Sequence, residues 1–306
     1  MSIAFHHKPI MLQEVLSGLE IKPDGVYVDC TTGGAGHSLE IAKRLKGGKL
    51  ICIDKDGDAL AVAEERLAGL PVEFRHGDFK DVLPTLGKVD GILMDLGVSS
   101  YQIDTAERGF SYRLDGALDM RMDQTATLSA ADVVNTYSER EIADIIYQYG
   151  EDRFARRIAQ NIIRAREKQP ITTTGQLAEI VTESIPGKFR YTGGNPCKRT
   201  FQALRIYVNR ELAGLYECVL GAIEQLNEGG RICIITFHSL EDRLVKTAYR
   251  YQEASCVCDP HQPVCTCNKK SLVKIITKKP LVASSEELEE NSRAESAKLR
   301  IAERKA

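Results

Sequence analysis

The sequence predicts an α/β fold in which a parallel sheet is interrupted by a long helical insertion. Three observations carry that expectation. Short apolar runs alternate with helical patterns over the first hundred residues. Between about Tyr101 and Asn209 the alternation stops and the pattern becomes helical. Strand character then returns beyond residue 230, so the two flanks read as one sheet split in the chain. The expected boundaries are 1–103 for the first part of the sheet domain, 104–209 for the insertion and 210–306 for the second part.

Within the first part, strands are expected at Val26–Asp29, Lys49–Asp54, Val72–His76 and 91–95, with helices near 38–45 and 58–67. Right-handed crossovers put the carboxyl ends of parallel strands on one edge. Asp29, Asp54 and Asp95 all fall at those ends, which locates a ligand crevice. In the insertion, 138–150 has helical spacing, and Ser138 with Glu141 forms a capping box. An amphipathic helix at 211–226 and an Asn-Glu-Gly-Gly turn lead to strands at 231–237 and 272–277, with a last strand around 298–302. The acidic run 286–290 reads as a solvated helix start, and no solenoid-type repeat is present.

A chain of 306 residues suggests about two domains, and its 43% apolar and 27% charged content is that of a folded protein. Apolar stretches such as 232–237 fall well short of the ~18–20 residues that span a bilayer. The start, MSIAFHHKPI, lacks a charged n-region followed by an apolar h-region, so membrane insertion and secretion are disfavoured and a cytoplasmic location is expected. Nine cysteines, five of them scattered singly (Cys30, Cys52, Cys197, Cys218, Cys233), suit a reducing compartment better than a disulfide framework. The net charge of −2 conceals an asymmetry. Residues 104–152 hold eleven acids and four bases, whereas 153–210 hold twelve bases and three acids. The basic stretch suits a polyanion-binding surface; the alternative is a solvated helix face neutralised by the acidic segment before it.

The segment VYVDCTTGGAGHS is strand, glycine-rich turn and helix start, with glycines at 33, 34 and 36 that allow positive φ and close approach of a ligand. Its spacing is not the G-x-G-x-x-G dinucleotide fingerprint, and it contains no phosphate-loop lysine. Asp54 is placed to accept hydrogen bonds from a ribose diol, with a helix N-cap as its alternative role. Gly77-Asp78-Phe79 can offer a purine an apolar face and a carboxylate for its amine. Together these point to S-adenosylmethionine rather than a phosphate-bearing nucleotide. Asp95, opening the DLGVSS loop, is positioned to engage an exocyclic amine, whose lone pair is delocalised and needs help to become nucleophilic. Orienting the loop or the cofactor's amino-acid end is the other role open to Asp95. His238, following the returning strand, lands on the same edge as a second catalytic candidate or as a helix-cap histidine.

The runs DCTTGGAGHS, DLGVSS, ERGFSYRLDGALDMRMD, YGEDRFARRIA, NPCKRTFQALRIYVNREL, FHSLEDRLVK and SAKLRIAER resemble the bacterial ribosomal RNA small subunit methyltransferase H family, also called MraW, over nearly the whole chain. The resemblance implies a Rossmann-like class I S-adenosylmethionine methyltransferase sheet with a helical substrate-recognition insertion. It implies methylation of the 4-amino group of a decoding-centre cytidine in 16S rRNA of the small ribosomal subunit. Cofactor positions carried over by motif are Gly33, Ala35, Gly36, His37, Asp54, Phe79, Asp95 and Gln102. The tail reads NSRAESAKLR where relatives tend to read NPRARSAKLR, which weakens any RNA role for that tail. A DNA amino-methyltransferase is disfavoured because DLGVSS stands in place of an Asx-Pro-Pro-aromatic block, and a non-catalytic RNA-binding assembly factor is the alternative from another class.

Lys198, Arg199, Arg205 and Arg210 share one motif, with Phe189, Tyr191 and Phe201 interleaved. Such a mixture suits stacking on unpaired bases and contact with phosphates, and Lys198, Arg199, Phe201 and Arg205 are the expected substrate-binding residues, although Phe201 equally fits the core of the insertion. Cys256, Cys258, Cys265 and Cys267 form C-x-C-x6-C-x-C with His261 between. Zinc, two disulfides and free thiols all remain open for them. The oligomeric state is not legible.

Overall fold

The computed structural model describes residues 9–190, 194–259, 262 and 264–306. Tyr191 and His261 lie outside the described residues. The chain divides into two compact units, one made of residues up to Gly97 together with Leu212–Ala306, the other of Val98–Glu211.

The first unit carries β1 (Val26–Asp29), β2 (Lys49–Asp54), β3 (Val72–His76) and β4 (Val89–Asp95), joined by α2 (Gly36–Ala42), α3 (Gly57–Arg66) and the short α4 (Phe79–Val82). A helix the sequence reading did not anticipate, α1 (Leu12–Leu19), precedes them. It has no side-chain cap; Met11 adopts a left-handed backbone there, and its N–H is taken by Glu287 Oε1 at 2.7 Å, a partner 276 residues away. The second unit contains α5 (Ser100–Asp104), α6 (Ala130–Thr136), α7 (Glu139–Gly150), α8 (Ala155–Arg166), α9 (Thr174–Ser184), α10 (Gly187–Arg190) and α11 (Cys197–Val208). The chain then returns to the first unit with α12 (Leu215–Gln225), β5 (Leu226–Thr236), α13 (Ser239–Glu253), β6 (Val273–Ile275), α14 (Ser285–Glu290) and β7 (Lys298–Arg304).

Among the described residues, seven strands form one sheet in the order β3-β2-β1-β4-β5-β7-β6, with β7 antiparallel to both its neighbours. The reversal of direction from β1 outward to β2 on one side and β4 on the other makes the carboxyl ends of those three strands a topological switch point. Asp29, Asp54 and Asp95 are the last residues of β1, β2 and β4, as expected. Both sheet faces are covered. Met11, Val15, Ile41, Ala63 and Leu67 pack on one face, and Leu83, Val219, Ile223, Val245 and Tyr249 on the other. The central strands β1, β2 and β4, buried on both sides, read as nearly continuous apolar runs, which is why they were visible in the sequence, whereas the edge strand β3 ends in exposed Arg75 and His76.

The Asn-Glu-Gly-Gly segment does not end before a strand; it lies inside β5 as an irregularity. The ladder jumps from the pair Val89–Leu226 to the pair Gly91–Arg231, leaving 227–230 to bulge out, with Gly229 at φ 74°. Asp90 pins the bulge by accepting from Val26 N at 2.9 Å and Asn227 Nδ2 at 3.0 Å.

The helical unit has its own core of Ile142, Ile146, Ile158, Ile162, Leu177 and Leu204. Ser138 and Glu141 form the expected capping box at the start of α7. Residues between Gly109 and Ser129 are irregular, held by buried Arg108, whose Nη2 donates to the Arg121 and Met122 carbonyls at 3.1 and 2.9 Å. The single β-bridge of this unit among the described residues joins Ala117 to Thr173.

Candidate active site

The turn after β1 is bent by two left-handed residues, Gly33 at φ 49° and Ala35 at φ 61°. A non-glycine residue held there stores backbone strain, which neighbouring contacts must maintain. Gly36, by contrast, is helical. A Cβ there would sit 3.0–3.4 Å from the Pro9 ring and would have to displace it by a few tenths of an ångström, so the constraint at Gly36 is one of space rather than of backbone freedom. The Gly33 N–H donates to Asp54 Oδ2 at 2.7 Å, and Asp56 N–H donates to Asp54 Oδ1 at 2.9 Å. Asp56, not Asp54, caps α3. Asp54 is therefore an oriented carboxylate with lone pairs to spare, and burial pushes its pKa up against the pull of the two amides.

Two further acids gather beside this turn. Asp29 accepts from Ser38 Oγ at 2.6 Å and from Thr31 N at 3.1 Å; burial still raises its pKa to about 6. Thr31 Oγ1 in turn accepts from Asp95 N at 2.6 Å, fixing the end of β4. Asp95 Oδ1 is sealed from solvent with no partner, although the side chain as a whole keeps 26% exposure. Burial first, then the negative charges of Asp29 and Glu241, push its pKa up to about 8. His37 Nδ1 lies 3.7 Å from Asp95 Oδ2 while its Nε2 bonds the Ile10 carbonyl at 2.9 Å; burial lowers the His37 pKa to about 4. With that ring neutral, no cation among the described residues lowers the Asp95 pKa. A sealed, unpartnered carboxylate oxygen among acids fits a cationic guest, and S-adenosylmethionine carries two positive centres, a sulfonium and an ammonium.

His238 falls on the same edge, after β5, as expected, but it is the N-cap of α13. Its Nδ1 accepts from Glu241 N at 3.5 Å, and its Nε2 lies 3.0 Å from Glu241 Oε1, out of line for a hydrogen bond. Glu241 is buried, accepts from Phe237 N at 2.9 Å, and its charge bears on Asp95. Asp29 was expected at the crevice as the end of β1, whereas Glu241 and Thr31 are site residues that the sequence reading did not single out; the only signal for them was membership of the segments after β5 and β1. Asp78 caps α4 by accepting from Lys80 N at 3.0 Å, and Phe79 is half-buried against the sheet.

The helical unit holds the remaining candidates. Gln102 is buried and completes a capping box with Ser99, its Oε1 accepting from Ser99 N at 3.0 Å. Lys198 and Arg199 are exposed in the first turn of α11, Arg199 donating to the Glu151 carbonyl at 3.1 Å. Arg205 is tied to Glu211 by two bonds of 2.9 Å. Phe201 is 3% exposed and packs edge-on against Tyr112, centroids 5.8 Å apart, which removes it from the stacking surface. The periodicity of α11 turns Phe201 inward while its neighbours Lys198 and Arg199 face out. Of the expected aromatics, Phe189 does meet cations, with the Arg153 guanidinium 4.1 Å and the Lys188 ammonium 4.9 Å from its ring centroid, and Arg153 also lies 4.8 Å from the Phe154 centroid.

A seven-stranded sheet of this order, with a bent turn after β1, an oriented acid ending β2 and a sealed acid ending β4, defines a class I S-adenosylmethionine-dependent methyltransferase. Residues 4–305 match the model of the MraW methylase family, and the chain belongs to that family. A ribosomal RNA small subunit methyltransferase H from Lachnospira eligens is 56% identical over 308 residues, covering 98% of each chain. Relatives with the same name from Brevibacillus brevis and Clostridioides difficile are 54% and 53% identical, covering 99% and 98% of this chain and 99% of each relative. No described helix is long and apolar enough to cross a membrane.

Proposed function

We propose that this chain transfers a methyl group from S-adenosylmethionine to the 4-amino group of a decoding-centre cytidine in 16S rRNA, acting on the small ribosomal subunit in the cytoplasm. Family membership supports the substrate class, and the sealed, unpartnered oxygen of Asp95 carries the chemistry. S-adenosylmethionine supplies, when bound, an electrophilic methyl group on a sulfonium.

The backbone of Gly33, Ala35 and Gly36 provides the close approach, Asp54 accepts from the ribose hydroxyls, and Phe79 covers a face of the purine. His37 stays neutral beside Asp95 and leaves that carboxyl free to answer a cation. Gln102 joins this group on the family pattern alone. Asp95, once ionised, accepts a hydrogen of the target amine and draws its lone pair out of the ring. His238 caps α13 and abuts Glu241, so it is a positioning residue. The helical unit, 104–209 by the sequence boundaries, supplies the RNA-binding surface through Lys198 and Arg199. Arg205, paired with Glu211, shapes that surface rather than reaching for phosphate.

The test is mass spectrometry of 16S rRNA digests after incubation of the protein and cofactor with unmethylated small subunits. The expected product is a single N4-methylated cytidine. Cofactor binding without any methyl transfer would instead favour a non-catalytic assembly role.

A further inference from the structure

We propose that Cys256, Cys258, Cys265 and Cys267 form a structural zinc site that staples the connection between α13 and β6, apart from the methyl-transfer site. The four Sγ atoms all lie within 4.8 Å of one another. Four of its edges are 3.5 Å for Cys256–Cys265, 3.6 Å for Cys265–Cys267, 3.8 Å for Cys267–Cys256 and 4.0 Å for Cys258–Cys265. Four thiolates placed tetrahedrally around zinc at ~2.3 Å are separated from one another by about 3.8 Å, so the thiols already stand at the corners that one such ion requires. A disulfide needs sulfurs at about 2.05 Å, far inside the shortest of these separations. A multi-iron cluster holds its cysteine sulfurs farther apart than a single ion does. The all-sulfur tetrahedron therefore selects one soft, four-coordinate cation.

Two independent observations support the same reading. The Cys258 N–H points at Cys256 Sγ at 3.4 Å. Amide donors aimed at sulfur stabilise thiolate ligands and fix their orientation. The connection also has no buried core of its own among the described residues. None of its described residues from 254 to 272 is buried, and Val257 and Val264 are 48% and 69% exposed. A long segment with no apolar core pays ordering entropy that buried surface does not return, and a metal cross-link supplies what is missing. The site is closed, with four protein ligands and no place for substrate, so its role is structural. What it stabilises is the approach to β6, the edge strand, where Leu272 N donates to the Gln252 carbonyl at 2.8 Å.

The experiment is elemental analysis by mass spectrometry of the full chain purified without chelators, alongside a Cys256→Ser/Cys265→Ser variant. The wild type is expected to carry close to one zinc per chain, the variant almost none, with cofactor binding by equilibrium dialysis preserved in both. Cobalt substituted for zinc should show the visible bands of a tetrahedral tetrathiolate. Proteolytic cleavage within 254–272 should appear only when the metal is lost. A wild-type chain that stays metal-free after reconstitution with zinc chloride under reducing conditions overturns the proposal, as does iron in place of zinc. Loss of four hydrogens in the intact mass, the mark of two disulfides, overturns it too. The wild-type metal content decides the matter even if the variant fails to fold.

Discussion

At Asp95 a single carboxyl combines a cost in stability with a use in binding. Its pKa of about 8 in the folded chain lies far above the ordinary carboxylate value of 3.8. Below pH ~4 it is protonated folded or unfolded and contributes no slope. Above that, the folded state retains a proton that the unfolded state releases, so stability falls as pH rises until about 8, where both states are ionised. Asp95→Asn removes that slope. Without cofactor, the melting temperature of the variant relative to wild type is expected to climb between pH 5 and pH 8; a constant difference would refute the placement. Cofactor affinity of the wild type should rise over the same range, while the Asn variant should lose most of its turnover. Phe201 gives a second residue-scale prediction. Buried in the helical core, it should cost roughly 3–5 kcal/mol on truncation to Ala, measured by urea denaturation. Phe201→Leu should retain methylation. A folded, fully stable Phe201→Ala variant that fails on RNA would restore the stacking role.

The elements differ in how local their causes are. Helix α7 begins where a Ser and a Glu three residues apart satisfy each other's backbone amides, a device contained in four residues. Ser138→Ala is expected to destabilise the chain by about 1 kcal/mol without changing cofactor binding, read from denaturation midpoints and equilibrium dialysis. Helix α1 has no such device; the amide of Met11 before it is satisfied by Glu287 from the far end of the sequence, and its local signal was only the apolar spacing of Leu12, Val15, Leu16 and Leu19. In β5 the Asn-Glu-Gly-Gly segment carries turn residues, yet the ladder on both sides of the bulge keeps it within the strand. Turn chemistry and strand pairing were both present, and pairing with β4 prevailed.

For the whole molecule, the two units divide the work by charge. The sheet unit gathers acids at its strand ends, suited to a cationic cofactor, whereas 153–210 of the helical unit carries twelve bases against three acids. Reversing Lys198 and Arg199 together to Glu should weaken association with the small subunit and leave cofactor affinity unchanged. If each residue meets a phosphate, the dependence of log affinity on log salt should become shallower by about 2. Binding assays across a salt series check this; an unchanged slope would place the RNA surface elsewhere, for instance around Arg153, Lys188 and Phe189.

The strands, their order of appearance, the acids at their ends and the glycine turn were legible in the residues themselves. Alternation of period and the placement of Asp or Gly at strand ends are consequences of backbone geometry a few residues long. Other features belong to the tertiary structure because they depend on what is distant in the chain. Phe201 faces inward because Tyr112 and the core of the helical unit await it, and Arg205 is claimed by Glu211. Asp95 has a raised pKa because folding brings Asp29 and Glu241 near and removes water. Spacing alone left the four thiols open to disulfides, metal or neither; only the folded backbone set their sulfurs at the separations of a single tetrahedral ion. Local sequence determines which conformations a segment prefers, while burial, pairing and charge proximity come into being only when remote segments meet.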